Sequence, residues 1–118
     1  MSETKRILTI GSAGNTGNPC LLALRAKGYT LKVWRTKSEM NKYGIHYEAE
    51  KDGRVFIASN DAELLGLVAM WEVRGDDWRT KPGEPYIHDE LYPTAITYDS
   101  EGNAVEVGGV PIPKSGNE

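Results

Sequence analysis

Lys51-Asp52-Gly53 lies between two short stretches, 45–50 and 54–58, in which β-favouring and polar residues alternate. Asp-Gly suits the two positive-φ positions of a tight hairpin turn, so the tripeptide predicts two antiparallel strands in mid-chain. An antiparallel turn at this point breaks any repeating strand–helix pattern of the kind that builds a fully parallel sheet. The 118 residues suffice for one modest core. A single α+β domain is therefore expected over 1–113, with 114–118 as a frayed tail.

The flanking elements follow from local signals. Ile7, Leu8 and Ile10 with a glycine immediately after them predict a strand over 6–10. Asn18 as a cap, Pro19 in the first turn and Gly28 as a stop predict a helix, and the alternation from Tyr29 to Arg35 predicts a second strand. The first two strands are expected to be parallel through a right-handed crossover. Asn60 with Glu63 three residues on has the form of a capping box, opening a helix that ends at Gly75. That helix is apolar on most sides, which predicts extensive burial, and Gly66 in its middle predicts a close backbone approach. Five of the six prolines follow Asp76, and this region is expected to be an ordered loop over the core. A second hairpin is predicted there, pairing 94–98 with 104–107. The expected architecture is a mixed sheet of four to five strands with two buried helices and an irregular acidic C-terminal segment.

Charge is divided unevenly behind the net value of −3. Residues 1–60 hold 10 Lys/Arg and 5 Asp/Glu, a balance of +5, and residues 61–118 hold 4 and 12, a balance of −8. The acidic half argues against nucleic acid and suits a basic protein partner. No apolar run reaches the roughly 18 residues of a membrane span, and the expected location is cytoplasmic. The single Cys20 cannot form an internal disulfide and is expected to be a buried structural thiol. His46 and His88 match no ligand motif, so no metal site is expected.

Gly11, Gly14 and Gly17 frame a Gly-x-x-Gly-x-x-Gly loop containing Ser12, Asn15 and Thr16. In a dinucleotide site such glycines make the turn, admit a phosphate to backbone N–H groups and let helix and strand pack closely. Residues 7–35 resemble the glycine-loop start of the extended short-chain dehydrogenase family. The resemblance implies that Gly11, Gly14 and Gly17 cradle phosphates. It also implies that Arg35 stands where NADP-preferring members hold the 2′-phosphate. It covers about a quarter of the chain.

A different constellation follows Gly75. Asp76, Asp77, Trp78, Tyr86, His88, Asp89, Glu90 and Tyr92 combine aromatic contact area with acidic steering, the composition of a partner-binding face. In size and charge layout the whole chain is similar to the small immunity proteins that bacteria keep beside secreted toxins. The favoured function is a non-catalytic protein-binding module with an acidic face, of which an immunity-type inhibitor of a toxin or enzyme is the specific form. The alternative is a small nucleotide- or phosphate-binding protein that holds NADP or another phosphate-bearing ligand in the 11–17 loop.

Overall fold

The computed structural model describes residues 5–106. The chain divides after Trp78 into two compact units.

The first unit contains a 3₁₀ turn, Gly14–Thr16, leading into α1 (Gly17–Ala26), then β1 (Thr30–Lys37), β2 (Tyr43–Lys51), β3 (Arg54–Ala58) and α2 (Asp61–Arg74). The three strands form one antiparallel sheet in the order β1-β2-β3. Its second hairpin turns at Asp52 and Gly53, with φ of 51° and 78°, and Lys51 pairs with Arg54. This is the turn that the Asp-Gly pair predicts: both central residues sit at positive φ, and that twist matches the strands on either side. The first hairpin closes over 38–42, where Ser38 Oγ accepts the N–H groups of Met40 and Lys42.

Helix ends are set by local chemistry. At the end of α1 the N–H of Gly28 reaches Arg25 O and that of Tyr29 reaches Leu24 O, with Gly28 at φ 94°. This is a Schellman stop that a side chain at 28 would strain. Asn60 Oδ1 caps α2 by accepting from Glu63 N, and the Glu63 carboxylate accepts from Ser59 N. Gly75, at φ 82°, ends α2 and returns its N–H to Trp71 O.

Leu31, Tyr47, Ala49, Phe56 and Ala58 share one face of the sheet by register. Both helices pack on that face. Leu24 of α1 and Leu64 and Val68 of α2 are fully enclosed there with Tyr29, Ala49 and Ala58. The opposite face carries Trp34 stacked on its cross-strand neighbour His46, with ring centroids 4.3 Å apart.

The second unit holds a short helix α3 (Ile87–Leu91), a 3₁₀ turn (Tyr92–Thr94) and a small antiparallel pair, β4 (Thr97–Tyr98) with β5 (Ala104–Val105). The predicted hairpin is present but shorter. Asp99 organises its turn by accepting from the N–H groups of Glu101 and Asn103. Those donors, Asn103 foremost, hold its carboxyl below the usual carboxylate range. The helix α3 replaces part of the expected loop.

The α+β class holds, with the five strands among the described residues divided between two sheets instead of one mixed sheet. Residues 6–10 form no strand: Ile7 is 97% exposed, and Leu8 and Ile10 are 74% exposed. The run has the propensity of a strand but no ladder partner among the described residues, so the parallel β-α-β unit is absent and the three-stranded sheet is antiparallel throughout. α2 is not buried on most sides. A three-stranded sheet covers only one stripe of it, and Val73 is 86% exposed. Gly66 faces open space, with no backbone close to it. The tail expected at 114–118 and the strand end at residue 107 lie outside the described residues.

Candidate functional site

The outer edge of β3 and the C-terminal half of α2 border a cleft of about 320 Å³, completed by the residues just beyond Gly75. Arg54, Val55, Phe56 and Ile57 line it from the strand, Leu67, Met70 and Trp71 from the helix, and Asp76 and Trp78 from the segment beyond. Four consecutive strand residues in the lining mean that the outer edge of β3, which pairs with no strand among the described residues, itself borders the cleft.

One polar device sits in this apolar wall. The Arg54 guanidinium donates from Nε to Asp76 Oδ1 at 2.7 Å and from Nη2 to Oδ2 at 2.6 Å. The Trp71 indole Nε1–H donates to the same Oδ1 at 2.7 Å. A forked cation and an indole together hold one carboxylate in a single orientation. The Arg54 donors first, and then the Trp71 indole, keep the Asp76 carboxyl well below the usual carboxylate range. The guanidinium also lies over the Trp71 ring, 5.2 Å from its centroid. Edge-on contacts continue inward from Trp71 to Phe56 at 5.7 Å and from Phe56 to Tyr29 at 6.0 Å, so the cleft wall is continuous with the core. Burial pushes the Tyr29 phenol above its ordinary value.

The residues assigned to a partner face fall into two groups. Asp76 and Trp78 line the cleft, and Asp77 stands between them without lining it. Asp76 is engaged by Arg54 and Trp71, so it acts as a fixed part of the wall and not as an isolated negative charge. In the second unit His88 lies between Tyr86 and Tyr92, with centroids 5.0 and 5.3 Å away. Both tyrosines are largely exposed, and Asp89 and Glu90 are exposed on α3 beside them. Trp71, in the helix whose apolar sequence predicts extensive burial, is a cleft residue. Arg54, 22 residues from its acidic partner, carries no sequence signal of a role here.

The glycine loop has another structure than the fingerprint requires. Among the described residues no strand precedes it, and the stretch containing Gly11, Ser12 and Gly14 is exposed. A Cβ at Gly11 or Gly14 would meet nothing. Gly17 is buried because the Asp61 carboxylate of α2 lies against its Cα, where any side chain would collide with it. The tight approach expected of the third glycine is therefore real, but its partner is an acid at the start of α2. That acid places negative charge at the N-terminus of α1, the position a phosphate would take. Asn15 and Thr16, with Ile10, Pro19, Cys20 and Leu65, line a shallow apolar cavity of about 400 Å³. Arg35 does not line it and stands in β1 opposite Ile45. Cys20 is half-buried instead of enclosed.

Tyr47 and Lys51 also stand at the Tyr-x-x-x-Lys spacing that short-chain dehydrogenases use for proton transfer. On the extended β2 they are separated by about 13 Å of strand, and Lys51 Nζ donates to Lys27 O at 2.7 Å. Among the described residues no group of three or more His, Cys, Asp and Glu is placed to hold a metal ion, and no helix is long and apolar enough to cross a membrane. No family model matches the chain, and no curated protein or solved structure matches it.

Proposed function

We propose that this protein is a non-catalytic protein-binding module whose partner docks in the cleft between β3 and α2. The observation that carries this reading is the lining itself. Trp71, Trp78, Met70 and Phe56 surround one carboxylate that Arg54 and Trp71 hold in place. Large aromatic and thioether side chains around a fixed polar group are the make-up of an interface hot spot, because they give contact area with little ordering cost. The partner is a basic protein. Of the five acids in residues 61–78, Glu72 pairs with Lys27 and Asp76 with Arg54; Asp61, Glu63 and Asp77 against Arg74 leave a smaller negative balance, which favours encounter with a positive surface. An immunity-type inhibitor that occludes a cationic toxin is the specific instance proposed.

Affinity capture from the native host with wild type, Met70→Glu and Met40→Glu tests the proposal. Met70 lines the cleft, whereas Met40 is exposed in the β1–β2 loop. A protein retained by wild type and Met40→Glu but lost by Met70→Glu supports the cleft. Equal retention by all three contradicts it.

A further inference from the structure

We infer that, in the absence of its partner, the cleft beside β3 is filled by residues 6–10 of a second copy of this chain, added to the sheet as a fourth strand. The inference rests on the cleft being a protein-docking site. Each copy has a surplus and a deficit of the same kind. The surplus is Arg6-Ile-Leu-Thr-Ile10, a β-favouring run whose Ile7 is 97% exposed and which joins no strand ladder among the described residues of its own chain. The deficit is the β3 edge, five residues long like the run that would pair with it, which has no strand on its outer side among the described residues and borders an apolar cleft.

Charge selects between the two edges of the sheet. β1, the other edge, carries Lys32, Arg35 and Lys37, which repel a segment that begins with Lys5 and Arg6. β3 carries no charge from Val55 to Ala58, and its one basic residue, Arg54, is neutralised by Asp76. Basic residues at an edge discourage strand addition, and β3 lacks that protection over four of its five positions. The same segment in every copy with the same edge in every copy allows reciprocal exchange and a closed two-fold dimer. A partner then has to displace a strand before it can bind.

Sedimentation equilibrium of the full chain, with Ile7→Lys, Ile57→Lys and Val33→Lys, tests this. Wild type is expected to approach twice the 13.0 kDa chain mass as concentration rises. Ile7→Lys and Ile57→Lys are each expected to weaken association by at least about tenfold. Val33→Lys, on the β1 edge, is expected to leave it unchanged. Ile7 is almost fully exposed in the monomer, so loss of the dimer there with unchanged circular dichroism cannot be an unfolding effect. A synthetic peptide of residues 5–11, added to Ile7→Lys protein, is expected to change the tryptophan fluorescence through Trp71 and Trp78. A wild type that stays monomeric, an Ile7→Lys dimer as tight as wild type, or a peptide without effect overturns the inference. Those results leave the cleft reading intact if Met70→Glu still abolishes capture of a foreign partner.

Discussion

Arg54 and Asp76 meet through two hydrogen bonds of 2.7 and 2.6 Å, joining the start of β3 to the segment that follows α2. The pair and the bond from Arg74 Nε to Trp78 O at 2.7 Å together hold the chain after Gly75 where Trp78 lines the cleft. Asp76 is therefore a structural acid first. Its contribution has a definite pH dependence, because its folded-state carboxyl is held below the ordinary value of 3.8. A group with a depressed folded value adds stability that is complete well above 3.8 and is lost as pH falls toward the folded value. Urea midpoints of wild type are expected to drop more steeply below about pH 5 than those of Asp76→Asn. Parallel curves would remove the carboxylate from this role.

Trp71→Phe keeps an aromatic ring beside Phe56 but deletes the indole donor to Asp76. The expected result is a folded protein in which the Asp76 carboxyl titrates closer to its ordinary value. Carbon-detected NMR titration of that side chain reads the effect. An unchanged titration would assign the whole shift to Arg54.

Gly17→Ala forces a Cβ into the Asp61 carboxylate, whereas Gly14→Ala meets open space. The first is expected to cost about 1 kcal/mol and the second close to nothing. In an Asp61→Ala background the sign at position 17 should reverse, since alanine favours helix over glycine by up to ~1 kcal/mol. Chemical unfolding of the four proteins measures this cycle. For a phosphate cradle the sensitive position would be Gly14, with loss of phosphate-induced thermal stabilisation.

Leu64 and Val68 are enclosed at the contact of α2 with α1 and the sheet. Leu64→Ala is expected to cost about 2–5 kcal/mol of folding stability, while Val73→Ala on the exposed side of α2 should stay within about 0.5 kcal/mol. Comparable losses at both positions would mean that α2 buries more than one stripe.

What is legible in the sequence is what neighbouring residues decide. The turn at Asp52 and Gly53, the Asn60 cap with Glu63 and the glycine stops at 28 and 75 each depend on a few adjacent residues, and each occurs as expected. Asn18 is a local exception, lying inside α1 with Thr16 at the N-cap and no side-chain cap bond; the other departures share a cause. The run 6–10 has strand propensity, but a strand needs a partner that propensity does not supply. α2 has apolar residues on most sides, but the small sheet covers only the stripe through Leu64 and Val68. Asp76 and Trp78 are legible as interface material, yet Arg54 and Trp71, which give Asp76 its geometry, are not. Arg54 is distant in sequence, and Trp71 has the apolar helical neighbours of a core residue. Tyr86 and Tyr92 flank His88 and are largely exposed.

The central claim is that a partner protein docks in the β3–α2 cleft. A photo-reactive amino acid placed at Met70, compared with the same group at Met40, tests it most directly in cells of the native host. The account predicts a covalent adduct with a basic protein from position 70, and none from position 40. Adducts of equal yield from both positions, or no adduct from position 70, would contradict it.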